Sequence, residues 1–550
     1  MKKTDNKSFR QRLFFPRNKL IGLTCLAILV GLSSFIFIFT VNNAISSLIS
    51  ENFLERFNHY VSILLGSVFI YFFTRRLLVA GIIKESQRIH WEIRKDIIRL
   101  ILNAPYKLLV RYKSDLYSTL TADINNITNV SFIIVSFISS IILIVSCLVY
   151  MAVLSFNLFA ISIMVISIAV LIYFVRTNRS NLEFFKVREL ENTFNNIFNS
   201  ILLGAKEIKV NRKKGEDIYV TDLTETIDIA RKTNTDAYLR YLHSDVMSQL
   251  FFYLLVIFII VCGGQLFLAP VDTIVSFVFV LLFLLGPVVN ILSSIPAINR
   301  AIISEKKIIE LWRMLCSNQD EIVIENQYDI SKHYSFKTIE IKNICYTYED
   351  NEFELGPIDL LIKRNDITFI SGGNGQGKTT LLNLIVNLYD IDSSTISIDG
   401  VLLSAEDRFA VKNLFSPIFN DFYLFEKFYG IERYDHVKAL ELLRLFELDQ
   451  IVSVSSKGFS TTKLSTGQRK RLALINALLE NRPILILDEW AADQDPLFRK
   501  KFYEVILPLI VQKEDKTVIA ITHDDNYYHF GTDIFKMDSG KLFKVNNTQQ

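Results

Sequence analysis

The first 300 residues contain six long apolar segments, at about 21–40, 60–82, 131–154, 158–176, 249–269 and 273–294. Each is close to the ~20 residues a helix needs to cross the hydrocarbon core of a bilayer. In lipid, every backbone N–H and C=O has to be satisfied within the protein, so six such runs in series specify a helical membrane domain. The first run is too long for the apolar stretch of a signal peptide, and no small-residue cleavage site follows it. Half of the 550 residues are hydrophobic and 43 are Phe, whereas Gly and Pro number only 20 and 10, as membrane helices require. A chain of this length exceeds one compact core, so a soluble part is expected beside the membrane part.

The formal net charge of +3 is the remainder of 60 basic and 57 acidic residues, and it does not point to a nucleic-acid partner. Cations cluster in the N-terminus (Lys2, Lys3, Lys7, Arg10, Arg12, Arg17, Lys19), after the second span (Arg75, Arg76, Lys84, Arg88, Arg94, Lys95, Arg99) and after the fourth (Arg176, Arg179, Lys186, Lys206, Lys209, Arg212, Lys213, Lys214). The connections on the other side, Phe156-Asn157 and Pro270–Asp272, are short and free of cations. This alternation places both termini and both long loops in the cytoplasm. With Arg75 and Arg76 assigned to that side, the span interiors are expected to hold no ionisable residue. Such a pathway excludes the proton relays of ion-driven pumps. Its candidate lining residues are Gln249, Gln265, Asn290, Tyr71, Phe72 and Tyr253, a set that suits an amphipathic peptide. The five cysteines are scattered without zinc-site or CxxC spacing and are expected to be reduced.

The long loops, about 83–130 and 177–248, carry apolar residues at helical spacing, as at Leu190, Phe194, Ile197 and Ile201, and read as membrane helices continuing into the cytosol. The expected organisation is a basic N-terminus over 1–20, a six-helix membrane domain over 21–316, a polar linker over 317–335 and a soluble α/β domain over 336–550. Within the last, the strand "DITFI" leads into Gly372-Gly373-Asn374-Gly375-Gln376-Gly377-Lys378-Thr379-Thr380 and an apolar helix, which is a P-loop in the context the motif demands. Its backbone N–H groups and helix N-terminus suit phosphate; Lys378 reaches the β- and γ-oxygens, and Thr379 offers a hydroxyl to Mg²⁺. The run "ILILDE" reads as a strand beside the P-loop strand in a parallel sheet, ending in Asp488 and Glu489. An acid pair there suits Mg²⁺ binding by Asp488 and proton abstraction from water by Glu489. Asp495 lies seven residues after Asp488.

Between these motifs, "KLSTGQRKR" resembles the signature of ATP-binding-cassette (ABC) transporters, here Leu464-Ser465-Thr466-Gly467-Gln468. The resemblance implies that the helix starting at Ser465 caps the γ-phosphate held by a partner subunit, as a serine N-cap favours. It implies that His523 in "AITHDD" senses the γ-phosphate, that Tyr348 in "CYTYED" stacks on adenine, and that Asp495 orients the backbone near the site. Two positions depart from the family pattern. Thr466 replaces a glycine, and Asn420 in "FSPIFNDFYLF" stands at the Q-loop glutamine, where its shorter side chain reaches Mg²⁺ through a bridging solvent molecule.

The implied fold is an α-helical membrane domain of six transmembrane helices, of ABC exporter type, fused to an α/β P-loop NTPase domain. "DEWAADQDP", "FNDFYLF", "ITHDDNYY" and "GAKEIKVNR" are similar to the cyclic peptide exporter branch, which moves siderophore precursors and peptide toxins. That implies a homodimer in a bacterial inner membrane that hydrolyses ATP with Mg²⁺, exports a peptide-like substrate and needs no periplasmic binding protein. Lys107–Ser114 and Gly204–Lys214 are the expected coupling turns. The alternatives are a lipid, lipopeptide or drug exporter of the same architecture, and an ATP-gated channel or regulatory membrane protein.

Overall fold

The computed structural model describes residues 17–545 except 50–52, 268, 317–334, 349–352, 390–393, 405–410 and 432–433. The expected linker therefore lies almost wholly outside the described residues. Two compact units form, one from 1–98 and 114–313 and the other from 99–113 and 314–550.

In the first unit, the apolar runs belong to helices far longer than a bilayer requires. These are α1 (Arg17–Ile49), α2 (Phe53–Leu102), α4 (Ile124–Leu154), α5 (Phe156–Leu203), α6 (Thr224–Phe267) and α7 (Val271–Cys316), with the short α3 (Tyr106–Arg111) between α2 and α4. At ~1.5 Å per residue, α2 with its 50 residues spans about 75 Å, so its polar half extends well beyond any hydrocarbon layer. Ile38, Cys147, Met151, Leu158, Ile259, Phe277 and Leu284 form a common core from α1 and α4–α7, while Ala27 and Val30 pack on Leu78 and Ile82 of α2. Polar ties hold the helices in register: Asn42 Nδ2 donates to Tyr150 Oη at 2.7 Å, and Ser304 Oγ donates to Asp123 Oδ1 at 2.7 Å. Leu65, Phe69 and Phe72 lie on an exposed face of α2, where aliphatic or aromatic surface is stable only against lipid or another helix.

One sequence expectation fails here. Because α2 runs unbroken from Phe53 to Leu102, Arg75 and Arg76 are not in a loop. They sit within the apolar run 60–82, and Arg75 lines a cavity between helices.

In the second unit, β3 (Ile367–Ser371) is central to a six-stranded sheet with β5 (Phe415–Ile418), β6 (Ile484–Asp488), β7 (Thr517–Ile521), β8 (Asp533–Asp538) and β9 (Lys541–Lys544). Their order is β9-β8-β3-β7-β6-β5, parallel except for β9. A second sheet holds β1 (Thr338–Thr347), β2 (Glu354–Lys363) and β4 (Thr395–Ile398), in the order β2-β1-β4, extended by Val401–Leu402. Helix α8 (Lys378–Ile385) packs its Leu381, Leu382, Leu384 and Ile385 into the core between the sheets. The strand ending in Asp488 is not beside the P-loop strand: β7, buried along its whole length, lies between them. The physical reason is that "TVIAI" can pair on both edges and bury both faces. Its register puts Ile370, Ile521 and Asp488 at one level across three strands.

Candidate nucleotide site

The β3–α8 turn is built by its glycines. At Gly372 φ is +145°, and a Cβ there would overlap the Met537 carbonyl, so only glycine fits this close approach. Lys378 begins α8, and its Nζ donates to the carbonyls of Gly372 (2.8 Å) and Gly373 (2.9 Å), folding the ammonium back over the loop. The open cleft here has a volume of about 410 Å³ and is lined by Tyr348, Phe353, Asn374, Gly375, Gly377, Lys378, Thr379, Thr380 and Glu489. Gln376 turns away and accepts the Ser539 N–H. Tyr348 Oη lies 2.9 Å from Thr380 Oγ1, which fixes the ring at the cleft edge.

Thr379 Oγ1 donates to Asp488 Oδ2 at 3.2 Å. A hydroxyl beside one buried carboxylate is the donor set that a Mg²⁺ ion sharing phosphate oxygens uses, so these residues fit that ion. Burial pushes the Asp488 carboxyl above the usual carboxylate range, with Glu489 adding to the rise, while the Thr379 hydrogen bond and the Lys470 charge oppose it. Glu489 follows with φ +48° and ψ 38°, a left-handed conformation that costs a non-glycine residue about 1–3 kcal/mol. Its N–H donates to Ile521 O at 3.1 Å, and its Oε1 lies 3.2 Å from His523 Nε2. The intervening strand β7 thus delivers His523 to Glu489.

Ser465 caps α9 (Thr466–Leu479) with a reciprocal box: Ser465 Oγ accepts from Gln468 N at 3.4 Å, and Gln468 Oε1 accepts from Ser465 N at 3.2 Å. Thr466 is the first helical residue, so the side chain where the family has glycine leaves the cap intact. A Cβ on Gly467 would lie 2.7 Å from Asp493 O, which explains why that second glycine is kept. Leu464 packs against the core. Asp495 caps the next helix by accepting from Phe498 N at 2.9 Å and pairs with Arg471 at 2.8 Å. The Phe498 N–H and then Arg471 hold its carboxyl below the usual range.

Asn420 lies in an adjoining cleft of about 300 Å³ with Tyr106, Thr379, Asn383, Phe419 and Asp488. Its Oδ1, however, accepts from Lys470 Nζ at 3.3 Å, and its backbone N–H is what reaches Asp488. In this structure the shorter side chain thus meets a lysine, while Asn420 still lines the cleft that holds Thr379 and Asp488.

Lys470 was not among the expected site residues. Its ammonium, on a residue only 1% exposed, also donates to Glu489 O at 2.8 Å and pairs with Asp493 Oδ2 at 2.7 Å. The available signal was a lysine on the buried stripe of α9, in step with Leu474 and Leu478. A row of tyrosines was also missed. Tyr348 meets Tyr346 edge-on (centroids 5.1 Å), Tyr346 stacks on Tyr389 (5.3 Å, 13°), and Tyr389 stacks on Tyr106 of α3 (6.1 Å, 29°). Of the two expected coupling turns, the first therefore belongs with the cassette. The second forms the helices Ala205–Val210 and Arg212–Asp217, with no residue buried.

Two family models match the chain, the ABC transporter transmembrane region over residues 20–288 and the ABC transporter over 355–492. The ATP-binding protein SyrD of Pseudomonas syringae pv. syringae is 30% identical over 541 residues, covering 94% of this chain and 93% of that protein. A lactococcin-A transport/processing ATP-binding protein of Lactococcus lactis subsp. lactis is 28% identical over 286 residues, 49% of this chain and 38% of that one. An ATP-dependent lipid A-core flippase of Saccharophagus degradans is 27% identical over 223 residues, 38% of each chain. A bacterial Atm1-family ABC exporter with ATP bound shares the fold at a TM-score of 0.75 and 16% identity, over 96% of this chain and 94% of that one. Phosphate loop, acid pair, capped signature helix and six apolar helices thus occur in one polypeptide that SyrD matches almost end to end: the chain belongs to the ABC transporter family, as an exporter that couples ATP hydrolysis to transport.

Proposed function

We propose that two copies of this chain form an exporter that moves an amphipathic peptide out of the cytoplasm of a bacterial cell, across its inner membrane. The observation that carries the dimer is the incompleteness of the nucleotide cleft. Among the described residues lining it, none comes from Leu464–Gln468, while Ser465 caps its helix at the surface. A helix N-terminus so placed attracts an anion it cannot find in its own chain's cleft, and a second copy offers one. Peptide cargo is favoured by the likeness to a lactococcin transport protein and by an aromatic-rich membrane domain.

In this reading Lys378 and the loop amides bind the β- and γ-phosphates, and Tyr348 stacks on adenine. Mg²⁺, held at Thr379 and Asp488, supplies charge neutralisation on the phosphate oxygens. Glu489 takes a proton from the attacking water; the new O–P bond forms as the bond to ADP breaks, releasing phosphate. His523, hydrogen-bonded to Glu489, orients that carboxylate. The tyrosine row links the adenine edge to α3, the cytoplasmic turn of the membrane chain.

Two measurements test this. In lipid vesicles, an amphipathic peptide is expected to raise ATP turnover several-fold and to be carried across; stimulation by lipid and not by peptide would give the cargo to the flippase-like alternative. Tyr389→Ala removes two ring stacks worth about 0.5–1.5 kcal/mol each, so peptide moved per ATP should fall ~5–150-fold while unstimulated hydrolysis holds. Tyr389→Phe should keep both rates. Equal transport by all three proteins contradicts the link.

A further inference from the structure

The membrane unit has a cavity of about 210 Å³, open on one side, between α1, α2, α4 and α7, whose polar lining includes Ser34, Tyr71, Arg75, Ser139, Ser140 and Asn290. Arg75 lies over the Tyr71 ring, its Cζ 5.3 Å from the centroid. Among the described residues, no carboxylate pairs with it. Nor can the neighbouring spans supply one, because the six apolar segments contain no Asp or Glu. A second copy of the chain would bring the same acid-free spans.

Depth makes this arginine costly. Glu85 of α2, paired with Lys19 and with Arg88 (2.9 Å), marks where α1 and α2 become charged. Arg75 is ten residues nearer the other end of α2, about 15 Å at the ~1.5 Å rise per residue. That is half of a ~30 Å hydrocarbon core. A cation at such depth is unfavourable by several kcal/mol unless it faces a polar cavity and meets an anion, and such residues mark substrate pathways.

We propose that Arg75 is the anchor for a carboxylate of the transported molecule, bidentate to its guanidinium, with Ser139, Ser140 and Asn290 completing the polar wall and Tyr71 receiving the adjoining apolar group. This inference rests on the peptide reading above and sharpens it to peptides with a free carboxyl group. One guanidinium matches one carboxylate in charge and fork geometry, and the other polar groups lining the cavity are neutral.

The test compares binding of a dansyl-labelled amphipathic peptide, whose label carries no carboxylate, as its free C-terminal acid and as its amide, to the full chain in uncharged lipid nanodiscs. Laurate and lauryl alcohol are compared in the same way. Wild type should bind the acid forms about 10–100-fold more tightly, as a hydrogen-bonded charge allows. Arg75→Gln should abolish that preference and Arg75→Lys should keep part of it, while the control Arg76→Gln leaves it whole. If laurate shows the preference, Arg75-dependent, but neither peptide binds, the anchor stands and the peptide reading fails. If acid and amide bind alike and laurate is not preferred, the anchor is overturned while peptide export survives. Arg75-dependent binding of phosphatidylglycerol without any carboxylate preference also overturns it, in favour of a lipid phosphate.

Discussion

Replacing Glu489 by glutamine is expected to slow ATP hydrolysis about 10³-fold, the central range for loss of a general base, while leaving ATP affinity within a few-fold of wild type. Glutamine has nearly the shape of glutamate and keeps an oxygen for His523, 3.2 Å away, but it cannot take a proton from water. The backbone should not relax, because the left-handed turn at 489 is held by bonds from its own N–H to Ile521 O and from Lys470 Nζ to its carbonyl. The phosphate-binding groups Lys378 and Thr379 belong to a different strand–helix turn and are untouched. With binding intact and turnover blocked, the two-copy reading adds that ATP should trap a closed dimer, seen as a shift in size-exclusion elution. Phosphate release at the wild-type rate would remove Glu489 from the chemistry.

What was legible in the sequence was whatever a local rule fixes. Runs of about 20 apolar residues dictate helices, and the glycines of 372–377 dictate a phosphate turn. A serine three residues before a glutamine dictates a capping box at 465 and 468. What escaped depends on partners distant in the chain. Nothing local says that "TVIAI" inserts between the P-loop strand and "ILILD"; that order comes from which buried strand pairs on both edges. Lys107–Ser114 reads as a coupling turn, but nothing local names its partner: Tyr106 stacks on Tyr389, 283 positions on, and residues 99–113 group with the cassette. Arg75 beside Arg76 reads as a loop pair until a continuous helix carries both through an apolar run. Tyr346 lies at the end of β1 and Tyr348 just past it, so their edge-on contact and its continuation to α3 required the folded chain.

Lys470 gives the second large expectation, because the departure at Asn420 and this lysine explain each other. A Q-loop side chain one methylene short leaves a gap, and a lysine long enough to cross it bonds Asn420 Oδ1 at 3.3 Å, Glu489 O at 2.8 Å and Asp493 Oδ2 at 2.7 Å. One ammonium thus ties the signature helix to Glu489, to Asn420 and to the following turn. Lys470→Met keeps the bulk and removes three hydrogen bonds made by a buried ammonium. Breaking a fully buried ion pair costs about 3–5 kcal/mol; Asp493 keeps 43% exposure and can resolvate, so a loss nearer 2 kcal/mol in unfolding free energy is expected. The kinetic loss should be larger than stability explains: kcat falls ~10–100-fold because Glu489 loses its backbone restraint, while KM for ATP holds, since no Lys470 contact named here reaches the P-loop. The pH profile separates this from a merely structural effect. The Lys470 charge lowers the Asp488 pKa, which burial has raised, so its removal lets that pKa climb further. Asp488 then keeps its proton to a higher pH, and a metal ion must compete with that proton over a wider range. The acid limb of ATPase activity should therefore move to higher pH in Lys470→Met and stay near its wild-type position in Lys470→Arg, which keeps the charge. An unmoved acid limb in Lys470→Met would reduce Lys470 to a packing residue.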